Sequence, residues 1–278
     1  MKRGLLWLAA VLALGQTAAP DFVCPMDPEI HRNTPGRCPR CGMALVAKLP
    51  AFEEYPVVVT TQPHAPRPGQ PITLRMQVLE PHTKRAFSDL TEVHEKLMHL
   101  FLVSEDLNYF AHEHPLRRPD GSFGLQTTLP KAGMYRLLCD FYPAGGRPQI
   151  VARSLILPGA VQSSAPLTIN TRPQSAVNVS VTLRTEPEQP LAGKETLLFF
   201  HLDPGSQIEP YLGAWGHLLA ASADLIDMIH THPTIGDRGP DGQFNLIFPR
   251  PGLYRLWLQT QRAGIVNTVS FTIPVKAL

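Results

Sequence analysis

Three of the chain's four cysteines fall between Phe22 and Val46, and their spacing suits a metal ion. Cys38 and Cys41 stand three positions apart in Cys38-Pro39-Arg40-Cys41-Gly42, with a glycine that lets the backbone fold beneath an ion. Fourteen positions before Cys38, Cys24-Pro25-Met26-Asp27 repeats that spacing with a carboxylate in the second place. Cys24, Asp27, Cys38 and Cys41 therefore predict a four-coordinate site of three sulfurs and one oxygen. Zn(II) accepts that mixture, whereas Cu(I) favours the thiolates, joined by a thioether from Met26 or Met43. A disulfide between two of these cysteines is the competing reading in an oxidising compartment, but the knuckle spacing suits an ion better than a cystine. The fourth cysteine, Cys139, lies in the apolar run Tyr135 to Phe141 and reads as a buried, inert thiol.

A second set of candidate ligands is imidazole. His99 precedes His112 by thirteen residues and His114 follows two later; His217, His230 and His232 repeat both intervals. A turn centred on Asp106-Leu107 folds Met98 to Ser104 against Tyr109 to Pro115 as a hairpin. Opposed residues then have numbers summing to about 211 to 213, which sets His99 across from His112 or His114 and turns Glu113 to the other face. The same arithmetic gathers His217, His230 and His232. Each trio suits Cu(II) or Zn(II), neutral imidazole being available near its ordinary pKa of about 6.5. Equally, histidines at strand ends can simply pin a hairpin by bonding backbone carbonyls. His94 and His82 near the first trio, and His201 in the second copy, add to the local histidine density.

The cysteine segment resembles the heavy-metal-binding domain that precedes copper-transporting P-type ATPases and occurs in bacterial metal-efflux proteins. The match is carried by Cys24-Pro25-Met26, Pro28-Glu29-Ile30, Pro35-Gly36-Arg37-Cys38-Pro39 and Cys41-Gly42-Met43-Ala44-Leu45. That family has Met-His where this chain has Met26-Asp27, which leaves the fourth ligand open between Asp27 and His31. The resemblance implies a soft metal as cargo and a metal-transport or efflux protein as partner.

The rest of the chain is one unit written twice. Besides the histidines, Asp120-Gly121-Ser122-Phe123 returns as Asp241-Gly242-Gln243-Phe244, and Gly133-Met134-Tyr135-Arg136-Leu137 returns as Gly252-Leu253-Tyr254-Arg255-Leu256. The units run from about 52 to 158 and from about 176 to 278, joined by a Pro/Ser/Thr-bearing linker at 159–175 that reads as extended. The first offers seven short runs: Val57 to Thr61, Ile72 to Leu79, His99 to Ser104, Tyr109 to His114, Ser122 to Thr127, Gly133 to Phe141 and Arg153 to Leu157. About a hundred residues with such spacing predict an antiparallel, immunoglobulin-like β-sandwich. The Gly-x-Tyr-Arg-Leu run resembles the strand of that fold whose tyrosine secures a sheet corner. The expected class is thus mainly β, a small cysteine-rich metal-binding module (22–48) followed by two sandwiches.

Lys2 and Arg3, an apolar run from Leu5 to Leu14 and small residues up to Ala19 predict a secretory signal at 1–19, and a periplasmic or extracellular protein. No other stretch approaches membrane-spanning length. A net charge of +2 without a basic run argues against nucleic acid. No GxSxG elbow, P-loop, HExxH or strand-borne GxGxxG is present, and Glu53-Glu54 and Asp224/Asp227 read as solvated faces or turn caps, so an enzyme is not expected. The reading is an exported protein that binds copper or zinc, for sequestration or hand-over. The alternative is a scaffold or adhesion protein of immunoglobulin-like repeats with a structural zinc clip.

Overall fold

The computed structural model describes residues 21–25, 28, 30–39, 43–49, 51–161, 165–236 and 239–278. Met26, Asp27 and Cys41 of the expected thiolate site, and the expected signal at 1–19, lie outside the described residues. Among those described, every regular element is a strand, and no helix is long and apolar enough to cross a membrane.

Each repeat is a sandwich of two antiparallel sheets. In the first, one sheet places Val57–Gln62, Pro71–Val78, Phe123–Thr128 and the short Leu116–Arg117 side by side. The facing sheet runs Gln149–Leu157, Gly133–Pro143, Met98–Ser104 and Phe110–Glu113, with Leu90–Thr91 paired to the end of Gly133–Pro143. Pro71–Val78 shows why these residues choose a strand: Ile72, Leu74, Met76 and Val78 are buried while the residues between them are not, the two-residue period of a pleated sheet. The second repeat follows the same plan, with Ser180–Glu186, Glu195–Asp203 and Asp241–Ile247 facing a sheet of Ile265–Val275, Gly252–Arg262, His217–Ser222 and Met228–Thr231. The last strand of the first repeat begins at Gln149, four residues before the expected Arg153.

Local chemistry secures the two hairpins that carry the histidines. Asp106 Oδ1 accepts from Ser104 Oγ (2.5 Å) and from the Asn108 amide (3.2 Å) while Leu107 takes φ +58°. Asp224 repeats this with Ser222 Oγ (2.5 Å) and the Ile226 amide (3.2 Å), around Leu225 at φ +56°. Asp224 is further bound by Arg250, so it is a turn cap. At the sheet corners, the Tyr135 hydroxyl donates to Lys131 O (3.0 Å), and the Tyr254 hydroxyl lies 2.7 Å from Asp227 Oδ2 and 3.1 Å from Arg250 O.

The strands Met98–Ser104 and His217–Ser222 are buried along their whole length, on both faces. Leu100 and Leu102 point into the first sandwich and Leu218 and Ala220 into the second. Their other faces meet: Phe101, Val103, Leu107 and Leu138 pack against Leu219, Ala221, Leu225 and Trp257. Phe110 stacks on Trp257 across this seam, with centroids 5.0 Å apart and rings 10° from parallel. Burying one large apolar side chain stabilises by about 1.5–3 kcal/mol, so seven of them with Ala221 make the seam a third core. Leu167, within the segment read as an extended linker, packs against that core, and Asn170 pairs with Thr272. The sandwiches are therefore docked through their histidine-bearing sheets, and everything on the seam face of those sheets is brought together.

Candidate metal centre

His99 lies on the seam face of Met98–Ser104, in line with Phe101 and Val103, and His217 holds the equivalent place before Leu219 and Ala221. The pairing of Phe101 with His112 and Leu100 with Glu113 gives a register sum of 213. His99 is thus level with His114, and Glu113 is on the opposite face from the imidazoles, half-buried, with burial raising its carboxyl pKa. Leu218 opposite Thr231 makes His217 level with His232. The rings of His99, His112 and His114 have centroids 4.7 to 5.2 Å apart, and those of His217, His230 and His232 4.6 to 5.7 Å.

The two trios, expected as separate sites in separate sandwiches, form one centre because the sheets that carry them dock. His99 is 6.0 Å from His217 and 5.9 Å from His230, and His112 is 5.5 Å from His217, centroid to centroid. A seventh ring joins them. His94 lies against His232, with centroids 3.7 Å apart and rings tilted by 32°, and is 5.4 Å from His217, so a residue of the first repeat enters the group of the second. Ligand atoms of His99, His112 and His114, and separately of His94, His217 and His232, all lie within 4.8 Å of one another. The second set thus has His94 in the place expected for His230, whose Nε2 lies 3.4 Å from His217 Nδ1.

Hydrogen bonds fix which nitrogens face inward. His99 Nε2 is 3.1 Å from Val93 O and His217 Nε2 is 3.0 Å from Tyr211 O. A carbonyl only accepts, so each Nε2 carries the proton and each Nδ1 keeps its lone pair. These histidines pin a hairpin with one nitrogen and offer the other to the centre. His112 Nδ1 is 2.7 Å from Gln259 Oε1, whose amide is oriented by donation from Nε2 to Thr268 Oγ1 (2.9 Å). The lone pair of the neutral His112 ring is therefore on Nε2. His230 Nδ1 donates to Asp140 Oδ2 at 2.5 Å. The partners are crossed: Asp140 of the first repeat orients a ligand of the second, and Gln259 of the second orients a ligand of the first.

In the first set lone pair consequently faces lone pair, His99 Nδ1 with His112 Nε2 at 3.0 Å; in the second, His217 Nδ1 has His232 Nε2 at 3.0 Å and His230 Nε2 at 3.4 Å. Two acceptors so close repel unless a cation sits between them. Imidazoles at about 2.0–2.1 Å from a tetrahedral zinc ion stand about 3.3 Å from each other, so the spacing is that of a ligand set. His114 Nε2 is buried and has no hydrogen-bond partner among the described residues. A void of about 10 Å³ bordered by His94, His99, His230, His232 and Asp140 has room for one water or small ion.

Burial also favours the neutral form of five of the rings. It is the largest cause holding His99 and His114 at about 4, followed for His99 by opposition from the Asp140 charge and for His114 by His99. His112, His217 and His232 are pushed well below the ordinary imidazole value, first by burial and then by His230. Neutral imidazole is the ligating form.

The other candidates lie elsewhere. His82 bonds Glu53 and His201 bonds Asp241 on the exposed surface. His31 is exposed, with Nδ1 2.9 Å from the Asp21 carboxylate. In the N-terminal module, Cys24 and Cys38 are buried in one small cluster with Leu45, and Met43 is buried beside it. The Cys24 amide donates to Ile30 O (3.0 Å) and the Cys38 amide to Met43 O (2.7 Å). Two shielded sulfurs from two turns fit a thiolate-bound heavy metal. Cys139 is fully buried without a disulfide, its thiol pushed up to about 12 by burial. Sequence reasoning missed Asp140 and Gln259 and did not place His94 in a ligand set. The signal for His94 was the duplication itself, since Leu212 stands at the equivalent place in the second hairpin.

No curated protein matches the chain. Among solved structures, the Escherichia coli adhesin FdeC is similar at 15% identity and a TM-score of 0.28, over 85% of this chain and 71% of that one. The Yersinia pseudotuberculosis adhesin InvE (8% identity, TM-score 0.25) and a calcium-stabilised ice-binding adhesin of an Antarctic bacterium (9%, TM-score 0.26) cover 78% and 82% of this chain, which spans 58% and 50% of theirs. Likeness of this size carries no functional weight. The family model described as heavy metal binding domain matches residues 22–48. The model described as domain of unknown function DUF8832 matches residues 52–154 and again 174–277, so the chain belongs to that family, carrying its domain in tandem behind a heavy-metal-binding module.

Proposed function

We propose that the protein is an extracytoplasmic carrier of copper or zinc that holds ions in two chemically distinct places, thiolates in the N-terminal module and imidazoles at the seam of the two sandwiches. The observation that carries this reading is the convergence of ligand nitrogens: His99 Nδ1 and His112 Nε2 with apposed lone pairs at 3.0 Å beside His114 Nε2, and the ligand atoms of His94, His217 and His232 within 4.8 Å of one another. His99, His112 and His114 supply one ligand set, and His217, His230 and His232 with His94 the other. Asp140 and Gln259 supply outer hydrogen bonds that fix ring orientation and tautomer. All-imidazole sites suit Zn(II) and Cu(II), and buried sulfurs suit Cu(I) or Zn(II). A bound ion removes the lone-pair repulsion and ties both repeats together. The protein acts as a binder rather than a catalyst, its ions passing to or from a metal-transport or efflux partner, and the signal-like start of the chain supports export.

The test is metal content of the protein after loading with Zn(II) or Cu(II) and desalting, beside Cys38→Ser and His112→Ala/His114→Ala. Wild type is expected to retain ions of both kinds, the histidine variant losing those held by nitrogen and Cys38→Ser those held by sulfur. Unchanged retention in a folded histidine variant, judged by circular dichroism, overturns the seam centre and leaves a scaffold with a zinc clip.

A further inference from the structure

The two copies differ most, in residues able to hold a cation, at one hairpin. Val93 pairs with Lys96 in the first copy and Tyr211 with Ala214 in the second, and each hairpin carbonyl accepts from the histidine that follows, His99 or His217. At these matched positions the first hairpin carries Glu92, His94 and Glu95 where the second carries Pro210, Leu212 and Gly213. His94 and Glu95 take φ of +48° and +64°, as Leu212 and Gly213 take +49° and +73°. A left-handed backbone favours glycine at these places, and the second copy has one where the first has a glutamate. The polar set is retained in the first copy against local backbone preference.

What lies against the first hairpin is the N-terminal module. A cavity of about 670 Å³ separates them, lined by Arg37, Met43 and Val46 on the module side and by Glu92, His94 and Glu95 on the other. Met43 is buried, and its carbonyl accepts from the amide of Cys38, so the two residues stand opposite each other in the backbone pairing. His94 belongs both to this cavity and to the ligand set of His217 and His232. Two acidic residues, a methionine and a histidine thus line one cavity together with Arg37, and the histidine also belongs to the centre.

We propose that the hairpin bearing Glu92, His94 and Glu95 is the port through which an ion moves inside the molecule between the cysteine module and the imidazole centre. This rests on the proposed function. The exchange leaves the ion's oxidation state unchanged: a metal–sulfur bond breaks as a bond to a neutral His94 nitrogen forms, and the released thiolate keeps its electron pair and takes a proton from solvent. The carboxylates attract the cation into the cavity, and His94 delivers it to His217 and His232.

Cobalt(II) makes the movement visible, because sulfur-bound cobalt shows a charge-transfer band that nitrogen-bound cobalt lacks. One equivalent is loaded on the full chain in the presence of a chelator that captures any ion released to solvent, and the band is followed in time. Wild type is expected to lose the sulfur band and gain the nitrogen-only spectrum without losing cobalt to the chelator. His94→Leu/Glu95→Gly gives the first hairpin residues the second already carries, so it retains a fold the molecule itself displays. Glu92→Gln/Glu95→Gln keeps the imidazole and removes only the charge. Both are expected to slow internal transfer about ten- to a hundred-fold, the range typical of losing an outer-shell partner, while long incubation with free cobalt still fills the His99, His112 and His114 set. Transfer at the wild-type rate in both variants overturns the port. Wild type that fills both sites from solvent yet never passes cobalt between them overturns it too. A nitrogen-only spectrum that never forms under any loading overturns the proposed function instead.

Discussion

Lowering the pH of the metal-free protein should unfold it well before its carboxylates titrate. His99 is 4% exposed and held at about 4, against about 6.5 in an unfolded chain. Its folded-state pKa is depressed, so the unfolded state binds the proton first; the stability this represents is intact above about pH 6.5 and is lost as pH falls toward 4. Between about pH 7 and pH 5 His99 alone removes about 2 kcal/mol. His112, His217 and His232 move in the same direction, as does the partly exposed His114 to a smaller degree. Each adds a slope of at most about 1.4 kcal/mol per pH unit, against a total stability of about 5–15 kcal/mol for a domain of ordinary size. The assay is urea unfolding in chelator at several pH values, repeated with His99→Leu, which should be less steep in pH by close to one proton. Saturating Zn(II) should move the acid limb to lower pH, since the ion occupies the nitrogens that protons need. Metal-free stability that stays flat, or rises, from about pH 7 to pH 5 would refute the buried neutral cluster.

The second-repeat set should fill first, and Asp140→Asn should weaken that step about ten- to a hundred-fold while leaving the other in place, read by competition titration with a chelator. Phe101→Ala, which opens the seam, should cost about 3–5 kcal/mol and reduce ion retention with it, measured by denaturation and elemental analysis of the same sample. Cys139 should resist thiol reagents in the native protein and react on unfolding, because its buried thiol stays protonated up to about 12.

Strand runs and hairpin register were legible because both rest on local rules. Alternation marks Pro71–Val78, the Asp106 and Asp224 turn caps mark the hairpins, and the repeated thirteen-residue interval marks the trios. The register sum of 213 is within the expected range. What the sequence could not show is which faces of two separate sandwiches meet. The clue was that Met98–Ser104 and His217–Ser222 are apolar without alternation, as strands covered on both sides are, yet a covered face does not name its cover. The crossed bonds to Asp140 and Gln259 span 90 and 147 positions, and no spacing rule reaches across a docking interface.

Docking also makes the centre unequal, although the fold that builds it is nearly symmetric. Two polar groups of the first repeat that the second does not match act on the second. His94 reaches His217 and His232 where the second copy offers Leu212, and Asp140 supports His230 where Gln259 supports His112. A carboxylate partner raises the basicity of the imidazole it holds more than a neutral amide does, so the second-repeat set has the stronger ligand as well as the extra one. The first repeat is also the one the cysteine module lies against. A single sandwich could supply three imidazoles but neither its crossed partner nor the seam that keeps water from them. Duplication followed by divergence of one hairpin and one strand position is enough to turn a symmetric pair of pinned histidines into a directional path, entered at the first repeat and ending in the second.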